Sequence, residues 1–233
     1  LLVDYYLGAL KSKGKLPENG IVIKTVVTSE LGAEIARHYG VEVLDTLTGF
    51  KFICSKIKEY EEAGKGKFVF GYEESYGYLA GDFVRDKDGV IASMLVCEMV
   101  AYHKSRGMTL YDALEDIWKR FGYYRDELRP IVLKGKAGME KIANIMDGLR
   151  KDPPLEIAGT KVKAIEDYLL DEELNLPKSN VLKYKLADES WFAIRPSGTE
   201  PKLKIYFSVK GEDVQRVDTR TERLIEAVLD RIK

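Results

Sequence analysis

Through the first half of the chain, apolar runs rich in β-branched residues alternate with helix-period patterns. Ile21 to Thr28 reads as a strand, Ser29 as a helix N-cap, Leu31 to Tyr39 as a helix and Gly40 as its stop. A second strand, Val41 to Leu44, runs into the loop Asp45-Thr46-Leu47-Thr48-Gly49. Phe50 to Glu62 is helical in pattern, Gly64-Lys65-Gly66 breaks it, and Phe68-Val69-Phe70 is a short apolar strand. The order βαβαβ predicts a parallel sheet covered by helices. A glycine-containing loop with no periodicity follows, Gly71 to Gly89, and then helices near Val90–Arg106 and Thr109–Phe121.

From Arg125 the pattern changes. Leu128 to Leu133 reads as a strand, Met139 to Arg150 as a helix and Asp152-Pro153-Pro154 as a break. Strands follow near Lys161–Ile165, Val181–Leu186, Trp191–Arg195 and Leu203–Val209, and a last helix runs from about Asp213 to Ile232. Short turns such as Asp188-Glu189-Ser190 predict a largely antiparallel sheet backed by helices. The fold class expected is therefore α/β: a parallel-sheet α/β domain over 1–124, then a smaller α+β domain over 125–233. The 233 residues are enough for two domains, and no repeat or low-complexity tract interrupts them.

Composition narrows the function. At 45% apolar and 32% charged the chain has material for a core, which excludes wholesale disorder. Its 37 Lys and Arg balance 38 Asp and Glu, so no global field draws it to nucleic acid or anionic lipid, and its tyrosines are not interleaved with a basic stripe. No apolar stretch is long enough to span a membrane and no signal peptide is visible, which predicts a cytoplasmic protein with neither nucleic acid nor membrane as partner. Cys54 and Cys97 sit in apolar helical patterns without a CxxC or His partner. They are expected to be buried thiols of a reducing compartment, and no metal site is expected in this chain. The chain opens on Leu1 rather than Met, inside an apolar helical pattern, as an excised piece of a longer polypeptide would. His38 and His103 are read as surface or packing residues, and Asp171-Glu172-Glu173 as a solvated loop.

Two constellations carry candidate chemistry. Arg195-Pro196-Ser197-Gly198-Thr199-Glu200-Pro201-Lys202 lies between two predicted strands and holds the parts of a phosphate cradle. Arg offers a bidentate fork, Ser and Thr offer hydroxyls, Gly lets backbone N–H groups turn inward, and Lys adds compact charge. On the following strand Leu203, Ile205, Phe207 and Val209 share one face, which leaves Lys204 on the other with Tyr206 and Ser208, a second cation for the same anion. The same residue types also make an ordinary surface turn. The second constellation, Gly71-Tyr72-Glu73-Glu74-Ser75-Tyr76-Gly77, follows the apolar strand at the end where α/β sheets bind ligands. Carboxylates and a hydroxyl between glycines suit a polyol, because a carboxylate accepts from two vicinal hydroxyls. Adjacent residues on an extended segment point apart, so Glu73 and Glu74 do not suit the paired acid and base of a glycosidase; a solvated acidic turn is the other reading. A third candidate, Asp86-Lys87-Asp88-Gly89, has the form of a phosphatase DxDG motif, but Arg85 interrupts the buried strand that chemistry requires.

The motifs R-P-S-G-T-E-P-K and G-Y-E-E-S-Y-G, with Thr46-Leu47-Thr48-Gly49-Phe50-Lys51, resemble the C-terminal half of the α-D-phosphohexomutases, the phosphoglucomutase and phosphomannomutase family. The likeness runs closest to its bacterial phosphoglucomutase and phosphopentomutase-like branch. The resemblance implies a four-domain enzyme of which this chain is the third and fourth domains. Glu73 and Ser75 would bind adjacent sugar hydroxyls, Thr48 and Gly49 would belong to the loop that senses how the sugar faces, and Lys87 would reach the sugar or its phosphate. Arg195, Ser197, Gly198, Thr199, Lys202 and Lys204 would hold the phosphate that is not being transferred. It further implies phosphoryl transfer between C1 and C6 of a hexose, with glucose 1,6-bisphosphate as intermediate and activator. The partners implied are a small-molecule sugar phosphate and the N-terminal domains of the same polypeptide. The family's phosphoserine loop and its Mg2+ loop do not occur in these residues. Mg2+ would be bound by the N-terminal half, no catalytic residue is assigned to this chain, and the chain by itself is expected to bind without catalysing. A free-standing sugar-phosphate regulatory module, and mannose or pentose phosphate specificity, are the alternatives.

Overall fold

The computed structural model describes residues 1–198 and 200–233 and divides into two compact units, Leu1–Phe121 and Gly122–Lys233. In the first, helix α1 (Leu2–Ser12) precedes β1 (Gly20–Thr25), α2 (Glu30–His38), β2 (Glu42–Thr46), α3 (Phe50–Glu62), β3 (Lys67–Tyr72), β4 (Tyr78–Ala80), α4 (Gly89–Ser105) and α5 (Leu110–Phe121). The sheet order is β2-β1-β3-β4, with β1 parallel to both β2 and β3. β1 is buried at every position, as expected of a central strand covered on both faces. Ile21 and Ile23 pack on Ile53 and Ile57 of α3, while Val22 packs on the other side with Leu7 of α1 and Ile35 of α2.

Three departures from the sequence pattern have physical causes. β1 stops at Thr25 instead of Thr28, because the chain turns there: the Thr28 N–H donates to the Thr25 carbonyl at 3.0 Å. Part of the expected loop Gly71–Gly89 is β4, paired antiparallel with β3 from Phe70↔Ala80 to Tyr72↔Tyr78, and three residues are too few to show alternation. The cysteines are not both buried; Cys54 is half-buried and Cys97 is exposed. Helix α4, which carries Cys97, has apolar residues on most sides, yet only Leu95 and Met99 are buried while Val90, Met94 and Val100 face outward.

The second unit runs β5 (Tyr123–Val132), α6 (Gly135–Lys151), β6 (Glu156–Ile157), β7 (Thr160–Asp167), β8 (Leu182–Leu186), β9 (Trp191–Pro196), β10 (Lys202–Gly211) and α7 (Val214–Arg231). Its strands form one antiparallel sheet in the order β5-β10-β9-β8-β7-β6. Met146 and Leu149 of α6 and Leu224 and Val228 of α7 cover one face, against Tyr184, Phe192 and Phe207. Tyr184 stacks on Phe192 at 4.6 Å between ring centroids and donates to the Leu149 carbonyl at 3.3 Å; burial pushes its hydroxyl pKa up to about 12. β5 begins earlier than its apolar segment because β10 pairs with it along its whole length. The charged Arg125-Asp126-Glu127 of this edge strand hides it from a hydrophobic pattern and also protects the edge.

Candidate functional site

In the first unit the candidate residues gather where β1, β2 and β3 end. Gly49, the residue before α3, has φ +122°, a conformation that favours glycine, and its N–H donates to Glu73 Oε1 at 2.7 Å. Glu73 itself is buried, and its own N–H closes the β3–β4 turn on the Gly77 carbonyl at 2.9 Å. Gly77 has no room for a side chain: a Cβ there would lie 2.9 Å from Lys87 Cδ and 3.0 Å from Glu73 Oε2. The Lys87 stem and the Glu73 carboxylate therefore lie on the same side of this turn. The Lys87 ammonium sits 5.5 Å from the centroid of the Phe50 ring and 3.1 Å from Asp86 Oδ1. Thr48 is half-buried beside Gly49, and Ser75 and Tyr76 form the exposed tip of the hairpin, Tyr76 with φ +63°. The structure thus brings Thr48, Gly49, Glu73 and Lys87 together, with Ser75 at the tip above them.

Glu73 and Glu74 diverge. Glu74 turns to β1, where Thr25 Oγ1 and Thr28 Oγ1 donate to its Oε2 at 3.2 and 3.4 Å. The DxDG-like residues have local partners: Asp88 caps α4 by accepting from the N–H groups of Val90 and Ile91, both at 3.0 Å, and Asp86 accepts from the N–H of Lys87 at 2.7 Å. That backbone bond, with the Lys87 ammonium, holds the Asp86 carboxyl below its usual range. The segment before Asp86 is exposed and contains no strand, which removes the structural context a phosphatase nucleophile needs.

Sequence reasoning missed Lys24. Its side chain is wholly buried, with Nζ 2.9 Å from Asp45 Oδ1, 2.9 Å from Glu30 Oε1 and 3.3 Å from the Thr28 carbonyl. Burial by itself lowers the ammonium's pKa, but Asp45 and then Glu30 outweigh this and hold it above the usual lysine value. The signal was a lysine inside the apolar run Ile21–Val27, since a buried charge has to find a partner.

In the second unit the β9–β10 hairpin carries the cationic constellation. Lys204 lies directly opposite Arg195 across the antiparallel pair. Such neighbours have Cβ atoms about 4.5–5.5 Å apart, and like charges there repel. Among the described residues neither is ion-paired. Lys202, two residues along the same face, reaches Glu200 at 3.1 Å. The hairpin is tied at its base by Ser197 N–H to the Lys202 carbonyl at 2.7 Å, and the Leu133 N–H holds the Pro201 carbonyl at 2.9 Å. Gly198 has open space where a Cβ would be, so the loop is unobstructed there. Thr199 lies outside the described residues. Two unneutralised cations side by side beside a hydroxyl form a site electrostatically suited to a dianion.

Among the described residues no three His, Cys, Asp or Glu side chains converge to hold a metal ion, and no helix is long and apolar enough to cross a membrane.

The first unit is a three-layer α/β unit with a carboxylate-bearing turn at its strand ends, and the second is an antiparallel unit with a cationic hairpin. Residues 3–121 match the phosphoglucomutase/phosphomannomutase alpha/beta/alpha domain III, and residues 140–227 match that family's C-terminal domain. Phosphoglucomutase of Staphylococcus haemolyticus is 40% identical over 227 residues, 93% of this chain and 40% of that protein; phosphoglucomutase of Staphylococcus aureus strain RF122 is 42% identical over 215 residues, 88% of this chain and 38% of that protein. The crystal structure of Paramecium pp63/parafusin superposes with a TM-score of 0.71 at 21% identity, covering 99% of this chain and 40% of that one. A phosphoglucomutase/phosphomannomutase family protein of Burkholderia thailandensis gives a TM-score of 0.60 at 16% identity, covering 99% of this chain and 41% of that one. The chain belongs to the phosphoglucomutase/phosphomannomutase family, the α-D-phosphohexomutases, and corresponds to their C-terminal half. It spans about two fifths of the length of the curated relatives it matches.

Proposed function

We propose that this chain is the sugar-recognition and phosphate-binding half of a hexose-phosphate mutase that interconverts glucose 1-phosphate and glucose 6-phosphate through a bisphosphate intermediate. N-terminal domains such as the longer relatives have room for would complete the enzyme, contributing a phosphorylated serine and a bound Mg2+ that offsets the charge of the transferring phosphoryl group. The glucose assignment follows the phosphoglucomutase relatives at about two fifths identity.

In this reading Glu73 and Ser75 take neighbouring sugar hydroxyls. A carboxylate has about four acceptor sites, so the bond from the Gly49 N–H orients Glu73 and leaves it capacity for a ligand. Thr48 and Gly49 line the same locale, and Lys87 supplies charge to the sugar or its phosphate. Arg195, Lys204 and Lys202, with Ser197, Gly198 and Thr199, hold the phosphate that is not being transferred. The observation that carries the phosphate assignment is the Arg195–Lys204 pair, whose mutual repulsion a bound dianion relieves.

The test is a titration of the 233-residue chain with glucose 1-phosphate followed by amide shifts in NMR, with glucose and inorganic phosphate as controls. Half a site binds weakly, so millimolar ligand is required. Saturable shifts are expected, and Arg195→Ala should weaken binding about tenfold or more, the loss of a charge-assisted hydrogen bond. Unchanged affinity in Arg195→Ala would refute the phosphate assignment.

A further inference from the structure

Beneath the sugar-facing turn, the ends of the three parallel strands are joined by polar contacts that the expected site does not include. In the β1–β2 register Lys24 lies beside Asp45, and in the β1–β3 register beside Tyr72, so Asp45, Lys24 and Tyr72 form one row across the sheet. On β2, Asp45 leads directly through Thr46 and Leu47 to Thr48 and Gly49. On β3, Tyr72 immediately precedes Glu73. The buried Lys24 ammonium has three N–H donors, and its nearest acceptors are Asp45, Glu30 at the start of α2, and the Thr28 carbonyl, with the Thr25 carbonyl at 3.5 Å. One residue further along β1, Thr25 shares a 2.7 Å hydrogen bond with Thr28, and both hydroxyls reach Glu74. β1 is thereby bonded on one side to the strand that delivers Gly49 and on the other to the residue that follows Glu73. The bond from the Gly49 N–H to Glu73 then closes the circuit above it.

We infer that Lys24 and Glu74 are positioning residues that fix the distance between the Thr48–Gly49 loop and Glu73, and so set how tightly the sugar ring is gripped. This rests on the sugar-binding reading given above. Neither residue touches the sugar. Lys24 acts through Asp45 and Thr28, and Glu74 acts by anchoring the β3–β4 turn to β1. Recognition of a polyol by a carboxylate requires placement to within about 0.5 Å, and side chains held by supporting hydrogen bonds provide it. The second carboxylate of the Glu73-Glu74 pair is therefore a clamp and not a second sugar ligand.

The experiment uses the whole chain with three variants, Glu74→Ala, Glu74→Gln and Lys24→Met, and two readouts. The first is hydrogen exchange of the Gly49 amide, which reports the Gly49–Glu73 bond without any ligand. In Glu74→Ala it should speed up by about tenfold while amides in the middle of β1 keep their protection, as for a local opening. The second is NMR titration with glucose 1-phosphate and, separately, with inorganic phosphate. Glu74→Ala should weaken glucose 1-phosphate about tenfold, the low end of what losing a supporting partner costs a ligand site, and leave inorganic phosphate unchanged. Glu74→Gln keeps an acceptor for the threonines and should restore most of both effects. Lys24→Met should act in the same direction as Glu74→Ala; should it fail to fold, the Glu74 pair decides. Unaltered Gly49 exchange in Glu74→Ala overturns the inference. Normal sugar-phosphate affinity in that variant overturns it alone, whereas no saturable glucose 1-phosphate binding by the wild-type chain overturns the sugar-binding reading with it.

Discussion

Tyr184 shows what a single buried hydroxyl contributes. Enclosed between the sheet and α6, it is held protonated well past the ordinary tyrosine range, to about 12. Because its folded pKa lies above its unfolded value of 10, the folded state holds a proton that the unfolded chain releases between those two values. That stability is fully present below pH 10 and falls as pH rises towards about 12. Urea midpoints measured from pH 8 upward should decline over this window, and less so in Tyr184→Phe. At neutral pH Tyr184→Phe should cost about 1 kcal/mol, the loss of its bond to the Leu149 carbonyl. At this scale the sequence was legible where residue type and chemistry coincide. Glu73, Gly49 and Arg195 stand out as candidates by motif, but Lys24 does not, because its meaning depends on Asp45 of the neighbouring strand and on the turn that folds Glu30 back onto it.

Most elements followed from periodicity alone. α3 begins and ends where its pattern does, and α7 starts after Asp213, whose carboxylate accepts from the Arg216 N–H at 2.9 Å. Removing that cap in Asp213→Ala should lower the unfolding free energy by about 1 kcal/mol, read as a lower urea midpoint with an unchanged slope. What escaped notice was set by pairing. β4 and β6 are too short to alternate, and the first half of β5 is charged, so each is a strand only because a neighbour bonds to it. The expected burial of Cys97 on α4 failed for a different reason, since a helix with apolar residues on most sides carries little information about which side will be covered.

The whole molecule is two units with separate hydrophobic cores. Among the described residues the two core clusters of the first unit fall within Leu1–Phe121 and that of the second within Tyr123–Ile232. Produced separately, 1–121 and 122–233 should each unfold cooperatively in a calorimeter, both being of ordinary domain size. The 122–233 piece alone should retain the inorganic-phosphate shifts; a molten or aggregated 122–233 would show that its core is not self-sufficient. The β3–β4 hairpin has a further consequence for how such a protein changes over time. Its base is immobilised by Glu73, Gly77 and Glu74, while Ser75 and Tyr76 project from the tip and support no core. If the turn grips a sugar as proposed, substitutions at these two exposed positions would alter which ligand is admitted while drawing little on the core, so selectivity could drift on a scaffold that stays put.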